Sequence, residues 1–307
     1  MSPSRYSLHE SDMITVRNFV RKHRFSTFVA LTFILTWVPW GVVAMELQSG
    51  RSALVTPLVL LGGFGPLFAA SIVAAGGGDI RSWVRNLVDV RAPLHVWVAS
   101  VLVPVVLYVG AIMLFVAVGG GFDRAGVLPA AAIPSVAFAT LIRGGLEEPG
   151  WRGLALPVLQ RRIGALQASL VIGAIWAVWH VPLFLMPGSS QAGTPFALYA
   201  AAVLGISVIT TWLYNAAGGR TLVAIVFHTI SNAVSVTTAA GVIGDEVASQ
   251  IALLAVVWMV VAILVWRYDT DRLSPNPLPD GGLDLPSSVV RSQHELSPDT
   301  EDGSTSD

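Results

Sequence analysis

Cysteine is absent from the 307-residue chain, so there is no disulfide framework, no thiolate nucleophile and no thiolate ligand. Charge is scarce too. Asp, Glu, Lys and Arg make up 12% of the residues with a net charge of −1, against about 25% in an ordinary soluble domain. Too little polar surface exists to clothe a soluble globule, and no basic field exists to hold nucleic acid. Rossmann and P-loop fingerprints are missing despite 29 glycines. Neither a fixed-period repeat nor the strand alternation of a membrane barrel is found. What the chain has is apolar length: 54% hydrophobic residues and a mean hydropathy of +0.68. The expected class is all-α, a polytopic bundle of membrane helices.

A bilayer core takes about 20 mostly apolar residues per helix. About eight segments qualify: 25–46, 53–76, 95–118, 126–146, 163–186, 196–215, 221–240 and 247–266. The first follows Arg21-Lys22-His23-Arg24 and lacks a small-residue cleavage site, so it reads as a retained anchor. With the N-terminus cytoplasmic, eight spans place sixteen of the eighteen Lys and Arg inside and only Arg51 and Arg124 outside. That asymmetry implies an N-in, C-in multi-pass protein of the cell membrane. The expected plan is a cytoplasmic segment 1–24, a membrane domain 25–266 and a tail 267–307. With nine acids and three arginines, the tail is expected to be disordered. Residues 77–94, with Arg81-Ser-Trp-Val-Arg85, read as an interfacial amphipathic stretch whose basic residues face lipid headgroups.

Ionisable groups inside spans cost about 2.5–3.5 kcal/mol each on insertion scales and so ask for a reason. Three clusters stand out: Glu147-Glu148-Pro149-Gly150-Trp151-Arg152 at the inner end of the fourth span, Trp176-Ala-Val-Trp179-His180 in the fifth, and His228-Thr-Ile-Ser231-Asn232 in the seventh. Glu148 and Arg152 are spaced to pair on a helix, although Pro149 disfavours helical geometry at Glu148 and implies a kink or a restarted helix. His228 and Asn232 share a helical face and reach one small volume. Each cluster has a plainer reading: an acidic turn at a span end, a histidine bonded to a nearby carbonyl, polar glue between helices. Trp176 reads as a packing partner or pocket wall. Taken together, though, a carboxylate with imidazole help can deprotonate water, and a second imidazole with an amide NH2 can hold an oxyanion. That set suffices to hydrolyse an amide without serine or cysteine.

The order Glu-Glu-x-x-x-Arg, aromatic-x-x-x-His, His-x-x-x-Asn resembles the CPBP intramembrane proteases, which include CAAX prenyl endopeptidases and bacteriocin-processing or self-immunity proteins. Here the motifs are Glu147-Glu148…Arg152, Trp176…His180 and His228…Asn232, within residues 126–240. The resemblance implies an endopeptidase acting on a membrane-associated peptide or protein, prenylated or not. In it Glu147 activates water with His180, His228 and Asn232 form the oxyanion site, and Glu148 and Arg152 support them. Trp176 stands where Phe is commoner, a change expected only to reshape the pocket wall. Family members are often labelled metalloproteases. Glu147, His180 and His228 are a conceivable Zn2+ set with an open water position, but His-Glu-x-x-His is absent and Asn232 is an unusual ligand, so metal-free catalysis is the expectation. The competing readings are a transporter or proton relay, and a non-catalytic immunity or scaffold protein.

Overall fold

The computed structural model describes residue 15, residues 17–50, residues 53–280 and Leu283. Nearly all of it is helical: α1 (Arg24–Gln48), α2 (Val55–Gly63), α3 (Gly65–Gly77), α4 (Ile80–Leu87), α5 (Leu94–Ala117), α6 (Ile133–Arg143), α7 (Leu156–Ile163), α8 (Ala165–Trp179), α9 (Phe196–Ala216), α10 (Thr221–Ala239) and α11 (Glu246–Arg267). Between α6 and α7 the chain stays helical but changes winding, from a 3-10 turn (Gly145–Glu147) through one α turn (Glu148–Gly150) to a π turn (Trp151–Ala155). One antiparallel bridge, Gly121–Phe122 (β1) against Val242–Ile243 (β2), ties the C-terminal ends of α5 and α10. Large apolar side chains stand bare along the flanks, among them Ile34, Val38, Met113 and Phe138. Such a surface belongs in lipid, and this is an integral, multi-pass membrane protein.

All eight apolar segments expected from the sequence return as helix, but their lengths differ. Among the described residues six helices are long and apolar enough to span. The pair α2 and α3 makes a seventh if counted as one span, bent by 44°. The bend has a local cause. Pro66 sits in the first turn of α3, where its missing N–H breaks the ladder from α2. The remaining candidate, 163–186, holds a helix of only 15 residues, α8, about 22 Å of rise against the roughly 30 Å of a hydrocarbon core. The expected count of eight is therefore six or seven on length.

Contacts at one end of the bundle gather the basic segments. Arg17 and Arg21 donate to the Gly77 carbonyl at the C-terminus of α3, and buried Arg24 pairs with Asp79. Asn86 at the end of α4 bonds Gly219 and Thr221 where α10 begins. Beside it Asp89 pairs with Arg91 and Arg220. The donors of Arg91, side chain first and backbone next, hold the Asp89 carboxyl well below the usual carboxylate range.

The segment expected as a disordered tail departs from that reading over its first part. Carbonyls of Thr270 and Asp271 accept from Leu166 and Ala165, capping α8, whose N-cap Gly164 has no side chain to do so. The Asn215 amide donates to the Arg272 carbonyl, and Leu273, Leu278 and Leu283 are buried. Three leucines spaced along an acidic, proline-containing stretch are enough to anchor it. The remainder of the expected tail lies outside the described residues.

α1 packs closely on α2 and α3 through small groups. The Thr36 hydroxyl donates to the Gly62 carbonyl at 2.7 Å, and a Cβ at Gly65 would overlap that hydroxyl. α8 and α9 approach at Gly173, where a Cβ would stand 3.0 Å from the Ser207 Cβ. The α8–α9 approach sets Ser207 beside Arg152 of the glutamate segment.

Candidate active site

Glu147 ends the 3-10 turn and is almost fully buried; its Oε2 accepts from the Trp176 indole N–H at 2.7 Å. Its Oε1 has no protein partner among the described residues. Glu148 is helical despite Pro149, because the helix restarts at Glu148 and puts the proline in its first turn, where no donor is needed. Both Glu148 oxygens lie within about 3 Å of Arg152 Nη1, at 3.1 and 3.0 Å, and Oε1 also bonds His228 Nδ1 at 2.7 Å. Arg152 is sealed from solvent, donates to the Ser207 hydroxyl at 3.1 Å and stacks over the Trp176 ring at 5.1 Å.

The two histidines have matching arrangements. His180 Nδ1 lies 2.8 Å from the Trp176 carbonyl. A carbonyl only accepts, so Nδ1 carries the proton and a neutral ring leaves its Nε2 lone pair open. In His228 the Glu148 carboxylate fixes Nδ1 in the same way and again leaves Nε2 outward. Trp176 stands between them, its ring 5.8 Å from that of His180 and 5.3 Å from that of His228. One indole thus touches Glu147, Arg152, His180 and His228.

Asn232, one turn beyond His228, is placed by a close approach of backbone. A Cβ on Gly144 would overlap Asn232 Nδ2 and stand 2.9 Å from His228 Nε2, and one on Gly145 would overlap the Thr229 hydroxyl. Two successive residues without side chains let the glutamate segment lie against α10 at this point. Asn232 Nδ2 and His228 Nε2 therefore face the same small space beside Gly144.

Residues 129–234 match the family of type II CAAX prenyl endopeptidases described as Rce1-like. The chain is also 26% identical over 220 residues, 66% of its own length and 80% of the relative's, to CAAX prenyl protease 2 of Methanococcus maripaludis. Both matches support a likeness to the CPBP family. That likeness supports a membrane-embedded endopeptidase whose setting is the bilayer and whose substrate is a peptide.

The structure brings Glu147, Glu148, Arg152, Trp176, His180 and His228 together and sets Asn232 beside His228. One expectation needs correcting. Trp176 is not only a wall: its N–H is the recorded hydrogen-bond donor to Glu147, which a phenylalanine could not replace. Sequence reading missed Ser207, which holds Arg152, and Tyr199, whose ring packs edge-on to His180 at 5.5 Å. It also passed over Gly144, although two adjacent glycines one residue before an acidic pair were a readable sign of close approach. A lone serine in the apolar α9 gave no such sign.

For zinc, the donor set fits poorly. Among the described residues no three His, Asp or Glu side chains stand together as a metal-holding group. Glu147 instead meets the Trp176 N–H, and the Asn232 amide nitrogen faces the same space as His228. N–H groups favour an anion and repel a cation.

Proposed function

We propose that this protein hydrolyses a peptide bond with water activated by Glu147, without a metal, and that its substrate is a prenylated CAAX-type C-terminus. Glu147 Oε1 and the open Nε2 of His180 accept the two hydrogens of the attacking water. As the water oxygen bonds to the scissile carbonyl carbon, its proton passes to Glu147. The developing oxyanion accepts from Asn232 Nδ2 and from Nε2 of His228 in its imidazolium form, whose charge Glu148 balances. Collapse breaks the C–N bond, and Glu147 returns its proton to the leaving amine. Arg152 and Ser207 keep Glu148 in place. The prenyl-peptide class rests on the matched family and on the name of the archaeal relative.

The observation that carries the reading is the single indole, Trp176, with Glu147, His180 and His228 packed around it. The test is turnover of a farnesylated and an unprenylated CAAX peptide in liposomes, followed by mass spectrometry of the released C-terminal fragment. The parent cleaves the farnesylated peptide, also after exhaustive chelation, and Glu147→Gln does not. Full turnover by Glu147→Gln removes the catalytic assignment. Loss of activity on chelation, restored by zinc, removes the metal-free one.

A further inference from the structure

Helix α4 has two faces with different partners. Ile80, Trp83 and Leu87 turn inward, and Trp83 is almost fully buried; one position round, Arg81, Val84, Arg85 and Val88 form an exposed stripe. Arg81 and Arg85 make no hydrogen bond or ion pair among the described residues, and Val84 and Val88 are 47% and 66% exposed. The helix lies at the end of the bundle that collects the basic residues, where hydrocarbon gives way to headgroups. Arginines alternating with bare valines on one exposed stripe, at that depth, complement an anionic lipid surface.

The inward face reaches the catalytic segments. The Trp83 indole donates to the Pro149 carbonyl at 3.3 Å, directly after the glutamate pair. Asn86 donates to the Gly219 carbonyl at 2.7 Å, and its Oδ1 accepts from the Thr221 hydroxyl at 2.6 Å and the Thr221 N–H at 3.3 Å. α10, which carries His228 and Asn232, has no side-chain cap from its own N-cap residue Arg220. Asn86 supplies that cap from a different helix. The three segments meet at Gly153, where a Cβ would lie 3.2 Å from both Thr221 Oγ1 and Trp83 Nε1.

We propose that α4 docks through Arg81 and Arg85 on anionic headgroups of the cytoplasmic leaflet and, so held, braces the Glu147–Arg152 segment and α10 through Trp83 and Asn86. Trp83 and Asn86 are then positioning residues. The docking stands on its own, whereas its effect on turnover rests on the protease reading.

The experiment is amide hydrogen exchange of the full chain in phosphatidylcholine vesicles, with and without phosphatidylglycerol. In the parent, anionic lipid slows exchange in α4 and in the first turn of α10 by about thirty-fold, the factor that two surface arginines contribute on an anionic leaflet. Arg81→Gln/Arg85→Gln, a surface change, loses both effects. Asn86→Ala keeps the slowing in α4 and loses it in α10. Equal exchange in the two vesicle types overturns the docking, and a lipid response at α10 that survives Asn86→Ala overturns the bracing. Alongside, parental kcat rises with anionic lipid at constant KM, and the double arginine variant does not respond; a lipid-independent kcat in an active parent overturns the link to catalysis. A parent that cleaves nothing in either lipid fails the protease reading, while exchange still decides the docking and the bracing.

Discussion

Gly144→Ala separates the chemistry of the site from the stability of the fold. The glycine has φ −152°, so an alanine there meets no left-handed penalty. Its added methyl overlaps Asn232 Nδ2 and stands 2.9 Å from His228 Nε2. The nearer obstructing atom, Asn232 Nδ2, is the tip of a side chain with two rotatable bonds, so the amide swings aside at a rotamer cost of about 0.5–1.5 kcal/mol. The His228 ring, held at Nδ1 by Glu148, must also give slightly, so folding changes by about 0.5–3 kcal/mol. Turnover suffers far more, because the swing removes one oxyanion donor, worth about 10²–10³ in rate. Asn232→Ala alone matches that loss, and the double variant loses little more, since both changes remove the same interaction. Steady-state kinetics on the three variants, with thermal unfolding in detergent beside them, provide the check. A Gly144→Ala enzyme with parental kcat, or a double variant whose losses multiply, refutes the placement of Asn232 at the oxyanion.

Three further outcomes follow from the same contacts. Trp176→Phe keeps the ring between the two imidazoles but removes the donor to Glu147, and we expect kcat to fall about tenfold, in line with about 1.5 kcal/mol for a hydrogen bond to a charged group, with KM little changed; an unaltered kcat in the same peptide assay contradicts this. Glu148→Gln leaves the sealed Arg152 without its counter-charge and lowers stability by about 3–5 kcal/mol; thermal unfolding with a parental midpoint rejects the ion-pair role. At Asp89 the folded carboxyl titrates below its unfolded value, so its contribution is present above the unfolded pKa of about 3.9 and is lost as pH falls through the folded one. Arg91 is 75% exposed and solvent screens the pair, so Asp89→Asn is expected to flatten the acid limb of a stability–pH curve only slightly, and a steeper limb reverses the sign of the argument.

The membrane segments were legible because each is a run of apolar residues long enough to be read without knowing its neighbours. Their winding was not. Periodicity locates a helix but does not encode which carbonyl each N–H chooses, so the 3-10 to π change across residues 145–155 left no trace beyond Pro149 and the nearby glycines. The shortness of α8 was hidden because apolar residues continue past Trp179 into the turn bearing Pro182. In the tail, average composition masked Leu273, Leu278 and Leu283, which act singly. For the site, the residue types could be found from spacing within each helix, such as Glu148 with Arg152. The bond from Glu148 to His228, eighty residues apart, depends on how helices pack and could not be read from either motif.

That long-range bond decides how two adjacent and chemically identical glutamates divide their work. Glu148 has Oε1 bonded to both Arg152 and His228 and Oε2 in ion-pair reach of Arg152, in a sealed cluster. To take a proton it would have to weaken an ion pair whose rupture costs several kcal/mol, so it is suited to hold charge steady while other groups change theirs. Glu147 has one oxygen fixed by an indole and the other without a protein partner among the described residues. An N–H donor orients a carboxylate without supplying a full opposing charge, which leaves the group basic enough to accept a proton and aligned well enough to pass it on. On the proposed mechanism the motif needs two acidic residues, because fixing the imidazole and moving the proton make opposite demands on a carboxylate.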